Sequence, residues 1–95
     1  MVKEKLKKVF ICGDIPQHKK ASEYLISKGY VPINPTILPF GLSHGDLVEI
    51  QMEILRYCDA IYLLKGWSTD KTYYRQYVHA VELGFEIIRD EEVNQ

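Results

Sequence analysis

Apolar positions along the chain fall into short continuous runs separated by stretches of helical period. Lys8–Cys12 (KVFIC) is the first run and reads as a central strand, apolar on both faces as parallel strands are. Gly13-Asp14 ends it. Pro16 suits the first turn of a helix, with Asp14 or Ile15 near the cap. Ala21, Tyr24, Leu25 and Lys28 follow at helical spacing, and Gly29 suits the helix end, so helix one spans about Pro16 to Lys28. Tyr30–Ile33 is a second strand, and Pro32 within it points to an edge or a strand end. Asn34-Pro35 stops it, and a long loop, PTILPFGLSHG, comes next. Loops of that length in compact domains are functional or mobile. Ser43 with Asp46 three residues on resembles a capping box. Helix two then extends to about Tyr57, with Leu47, Ile50, Ile54, Leu55 and Cys58 as its apolar stripe and Gln51 inside it. Ala60–Leu64 is strand three. Asp70, Ser68 or Thr69 caps helix three, whose inward positions are Tyr73, Tyr77, Ala80, Val81 and Gly84. Phe85–Ile88 is strand four, and the charged tail RDEEVNQ is expected to fray.

The alternation β-α-β-α-β-α-β with short connections predicts an α/β three-layer sandwich: one domain over residues 1–95, with a four-stranded parallel sheet covered on both faces. Strands one and three are the purest apolar runs and therefore central, which favours the flavodoxin/Rossmann-like order 2-1-3-4. Ligands of such sheets bind outside the carboxyl ends of the strands, where the chain reverses direction. That rule selects Gly13, Asp14, Gly66, Trp67, Ser68 and Asp70, with Asn34 from the neighbouring strand end.

Composition narrows the partners. The formal net charge of -1 argues against nucleic-acid polymers and anionic membranes, which need a basic face. The basic run Met1–Lys8 is short and terminal, with no apolar stretch of secretory length behind it, and no window approaches a membrane span. Cys12 and Cys58 lie in apolar surroundings and read as reduced, buried thiols of a cytoplasmic protein, although one disulfide would fit the count. His18, His44 and His79 lack metal-ligand spacing, so neither a metal nor another cofactor is expected.

The selected residues admit two roles each. Gly13 and Gly66 either let a ligand approach the backbone or merely make turns. Neither G-x-G-x-x-G nor a Walker A motif occurs. Asp14 and Asp70 are ligand contacts or helix caps, and Asp59, at the amino end of strand three, is a turn residue. Trp67 either stacks on a flat ring or plugs the end of the sheet. Gln76 shares a face with Thr72, Ala80 and Leu83 that should look inward. A buried amide needs partners, which are protein groups or a ligand. Gln51 poses the same question on helix two. Tyr73, Tyr74 and Tyr77 read as core or subunit interface.

Taken together, VFICGD, GYVPINPTILPFGLS, CDAIYLLKGW and the helix ending A-x-x-L-G resemble the nucleoside 2-deoxyribosyltransferase-like superfamily, in its small bacterial and phage branch. The resemblance covers almost the whole chain. It implies a Gly-containing loop that helps to hold the sugar. It also implies a stretch after the third strand, typically G-W-E-x-S-x-G-A-x-x-E, whose final Glu attacks C1′ of a deoxynucleoside. The base leaves and a covalent glycosyl-enzyme forms, as in a retaining glycosidase. Here Gly66 and Trp67 match. Ser68 replaces the Glu, Asp70 the Ser, and Thr72-Tyr73 the Gly-Ala, with Tyr73 narrowing the sugar site. Gln76 stands at the nucleophile's position.

The expected function is therefore a nucleoside- or nucleotide-binding domain, with a nucleoside or nucleoside monophosphate as ligand and the transferase step impaired. The alternatives are an active N-glycosidase or deoxyribosyltransferase using Asp14 or Asp70, and a structural or assembly protein without a ligand. The resemblance also implies a homo-oligomer, since related transferases share residues between active sites.

Overall fold

The protein is described by a computed structural model covering residues 6–36 and 41–90. The elements in order are β1 (Lys8–Cys12), a 3-10 turn (Ile15–Gln17), α1 (His18–Ser27), β2 (Val31–Ile33) and α2 (His44–Arg56). Then follow β3 (Ala60–Leu63), a second 3-10 turn (Trp67–Thr69), α3 (Lys71–Glu82) and β4 (Glu86–Arg89). All strands are parallel, in the order β2-β1-β3-β4. Phe10 pairs with Ile33 on one side and with Ile61 on the other, which makes β1 and β3 the centre of the sheet.

Alternation along the two central strands divides the core. Val9, Ile11, Ala60, Tyr62 and Leu64 face α1, where Ala21 and Leu25 close the packing. Phe10, Cys12, Ile61 and Leu63 face α2 and α3, and meet Leu55, Cys58 and Ala80. One helix thus covers one face and two cover the other, which is the sandwich that the pattern predicts. Each fully buried Leu, Ile or Phe contributes about 1.5–3 kcal/mol of transfer free energy. Cys12 and Cys58 are free, buried thiols.

Several boundaries differ from expectation. Pro16 stands not in an α-helix but in the middle of the 3-10 turn, in which Gln17 N–H donates to the Asp14 carbonyl at 3.2 Å. The α-helix starts at His18, and its N-cap Gln17 makes no side-chain capping bond. Asp14 therefore caps nothing on α1 with its carboxylate. On α3 the ridge that meets the sheet is Tyr73, Gln76, Tyr77 and Ala80, whereas Val81 is 50% and Leu83 43% exposed. Val81 lies a further 100° around the helix from Ala80, and Leu83 is the C-cap residue beyond the last full turn. Arg89, placed in the fraying tail by its charge, is the last residue of β4, pairs with Leu63 and lies over the Tyr77 ring. Residues 1–5 of the basic arm, residues 37–40 of the loop after strand two and the tail residues 91–95 lie outside the described residues.

Asp59 closes the amino end of the sheet. Its carboxylate accepts the Lys8 backbone N–H at 2.9 Å and lies 3.5 Å from the Lys8 ammonium, tying the starts of β1 and β3 together. At the other end of the same two strands the chain turns away in opposite directions, and a cavity opens there.

Candidate functional site

The cavity has a volume of about 330 Å³, at the lower end of the range of small-molecule sites. Its apolar wall is Ile11, Pro35, Leu47 and Val48. Its polar groups come mainly from α3 and its cap, Asp70, Thr72, Tyr73 and Gln76, with Gln51 from α2 and Thr36 from the loop after β2. His44, the first residue of α2, lines it as well.

The two helices that frame the cavity are held by their caps. Ser43 Oγ accepts the Asp46 N–H at 3.1 Å, the capping bond expected from the sequence. Asp70 Oδ1 accepts from Thr72 N–H at 2.8 Å and from Tyr73 N–H at 3.3 Å. A carboxylate at this position also complements the positive end of the helix dipole.

Gln76 is 1% exposed and lines the cavity from α3. Its Nε2 donates to Gln51 Oε1 at 3.1 Å, and Gln51 Nε2 donates to the Pro35 carbonyl at 3.2 Å. Proline has no N–H, and its carbonyl can only accept, so the direction of this relay is set at its far end. Gln51 must turn its NH₂ to Pro35 and its oxygen to Gln76, and Gln76 must then turn its NH₂ to Gln51. Asn34 holds that far end: its Oδ1 accepts the Thr36 N–H at 2.9 Å and the Thr36 hydroxyl, an Asx turn that orients the Pro35 carbonyl. Asn34 thus positions the wall without lining the cavity.

The remaining residues selected from the sequence divide into two groups. Gly13 and Asp70 line the cavity, whereas Asp14, Gly66, Trp67 and Ser68 do not. The glycine at Gly13 answers to packing: with φ at +146°, a Cβ there would meet Leu64 Cβ at 2.5 Å. Gly66 adopts φ +88° with open space around it, so turn geometry alone accounts for the residue. Trp67 packs against Tyr77 (ring centroids 4.7 Å apart) and stacks on Tyr74 (5.9 Å, 11° between planes), outside the cavity. Asp14 accepts a hydrogen bond from the Tyr73 hydroxyl at 3.3 Å, bringing the end of β1 to α3. Burial, followed by the negative charges of Asp14 and Asp70, pushes the Tyr73 phenol up to about 12. Burial and then Asp70 push the Cys12 thiol up to about 12. Both groups are therefore protonated at neutral pH, and Cys12 is no nucleophile there.

Two contributors escaped the sequence reading. His18 is 2% exposed, and its Nε2–H donates to the Gly13 carbonyl at 2.8 Å, holding the turn after β1. The signal was present, because His18, Ala21 and Leu25 share one face of α1 at i, i+3, i+7 spacing. Thr36 was hidden inside a loop without periodicity. Among the described residues no group of three His, Cys, Asp or Glu side chains has metal-ligand geometry, and no helix is long and apolar enough to cross a membrane.

A search of curated proteins returns no match. A family model described as a domain of unknown function, DUF4406, matches residues 7–89, from the residue before β1 to the last residue of β4. With all four strands, all three helices and the cavity inside the match, the chain belongs to the DUF4406 family.

Proposed function

We propose that this protein is a nucleoside- or nucleotide-binding domain of the nucleoside 2-deoxyribosyltransferase-like type whose transferase step is impaired. The observation that carries the reading is Gln76: a buried amide, rather than a carboxylate, faces the cavity at the position where the resemblance puts the nucleophile. An amide keeps the shape of a glutamate and loses its charge and nucleophilicity. By analogy with other covalent enzymes, that loss costs about four to six orders of magnitude in rate. The cavity's volume and its mixture of apolar wall and few polar groups suit a small ring-bearing ligand.

In a thermal-shift series, nucleosides or nucleoside monophosphates should raise the melting temperature, while chromatography of the same mixtures shows no free base accumulating. Steady base release would overturn the reading. Converting the amide back, Gln76→Glu, should create or increase release.

One observation favours a second reading, an active N-glycosidase. Asp70 is a carboxylate that lines the cavity, whereas Asp14 is turned to Tyr73 outside it. Asp70→Asn keeps the capping oxygen and should abolish release if Asp70 acts. The assembly role without a ligand predicts no binder at all. The proposal includes self-association of the chain, tested by sedimentation equilibrium. Tyr74, Val78 and Val81 are exposed along one side of α3 and support it.

A further inference from the structure

The amide relay leaves one polar atom without a protein partner. Pro35, Gln51 and Gln76 form a one-way chain of hydrogen bonds that begins at an obligatory acceptor, so Gln76 must keep its oxygen turned away from Gln51. Among the described residues no group donates to Gln76 Oε1, although the side chain is 1% exposed and lines the cavity. The oxygen of this otherwise buried side chain is held in a fixed direction by the relay, and at the cavity wall it is open to a donor from a ligand.

The charge of the lining adds an independent constraint. Asp70 is its only Asp, Glu, Lys or Arg among the described residues, and Asp14 stands close by through Tyr73. The amino terminus of α3, where a phosphate would otherwise be welcome, already holds the Asp70 carboxylate on its Thr72 and Tyr73 N–H groups. Among the described residues a phosphate entering the cavity would meet the Asp70 carboxylate and no Lys or Arg, with His44 at the start of α2 the one lining side chain able to carry a positive charge.

Resting on the nucleoside-type reading above, we propose that Gln76 Oε1 is the specificity-determining acceptor of the site. It receives a hydroxyl or amide N–H of an uncharged ligand, and the cavity discriminates against phosphorylated forms. Within the nucleoside class this selects the free nucleoside or base over the monophosphate.

Calorimetric titration of the full chain with deoxynucleosides, ribonucleosides, free bases and the corresponding 5′-monophosphates tests this. The expected result is at least tenfold tighter binding of an unphosphorylated compound than of its monophosphate. Gln76→Met, which keeps the volume and removes the acceptor, should weaken that binding tenfold or more, about 1.4 kcal/mol. Equal or tighter binding of the monophosphate would overturn the inference while leaving the nucleotide-binding reading intact. Unchanged binding by a folded Gln76→Met protein would do the same. Binding by no compound in the panel overturns both. The wild-type ratio requires no variant, so the outcome is decided even if Gln76→Met does not fold. Comparing nucleoside with free base shows whether the donor is a sugar hydroxyl or a base N–H.

Discussion

At the residue scale, Gly13 and Gly66 look alike in the sequence, each following an apolar run, yet they answer to different physics. Gly13 combines φ +146° with a neighbour, Leu64 Cβ, that a new Cβ would meet at 2.5 Å. Gly13→Ala therefore adds backbone strain to an overpacked contact between two strand ends, each worth about 1–3 kcal/mol. Gly66→Ala meets open space and carries only the left-handed penalty, about 1–2 kcal/mol. Urea unfolding should rank Gly13→Ala as clearly the more damaging of the two. Trimming the neighbour as well, Leu64→Ala, should not rescue it, because the closest atom is a Cβ that alanine keeps. Equal midpoints for the two glycine variants would contradict this account. The contrast also shows where the sequence is silent. A glycine after a strand is visible, but whether it serves a turn, a ligand or a packed neighbour depends on a residue 51 positions away.

At the element scale, what could be read in advance was whatever has a period or a cap. β1 and β3 announced themselves as unbroken apolar runs, and their dominance gave the order β2-β1-β3-β4. Ser43 and Asp70 announced the starts of α2 and α3 through capping chemistry. The start of α1 misled because Pro16 fits a 3-10 turn as well as an α-helical first turn, and no capping side chain marks Gln17. The cavity was legible in place but not in membership. The carboxyl-end rule found Gly13 and Asp70, and the inward spacing of α3 found Gln76, while Ser68 is exposed on its 3-10 turn and Trp67 packs against the core beside Tyr77 rather than into the cavity. The partnership of Gln51 with Gln76 joins two helices 25 residues apart and has no sequence signature beyond two amides on inward faces. The cap on α3 is directly testable. Asp70→Ala removes two hydrogen bonds from the helix start and should cost about 1 kcal/mol, shifting the melting point down by about 4–8 °C in a domain of this size. Asp70→Asn should recover most of that loss. If Asp70→Ala melts with the wild type, the cap is not holding α3.

At the scale of the whole molecule, the face that α2 and α3 cover carries three groups that resist ionisation, and global stability inherits their behaviour. Burial holds the Cys12 thiol up at about 12, Cys58 at about 11 and the Tyr73 phenol at about 12, against ordinary values of 9.0 for the thiols and 10.0 for the phenol. In each case the folded protein holds its proton more tightly than the unfolded chain does. The associated stability is therefore complete below about pH 9 and is lost as pH rises through the folded-state values. For Cys12, the most deeply buried of the three, the loss at pH 11 amounts to about 2–3 kcal/mol. Cys58 adds less because the Lys8 ammonium opposes the effect of burial on its thiol, and Tyr73 adds less because it is only partly buried and solvent screens its surroundings. Total stability in a domain of this length is about 5–14 kcal/mol, so the effect should be plain in equilibrium unfolding. With a reductant present to suppress oxidation, the urea midpoint should stay level from about pH 6 to 8.5 and fall steeply toward pH 11. Cys12→Ala lowers the neutral-pH midpoint through the lost packing, but its alkaline slope should be shallower, since one of the three protons no longer has to leave. A midpoint that holds steady to pH 11, or a Cys12→Ala slope as steep as the parent's, would mean that this face admits water and that the walls of the cavity above it are not dry.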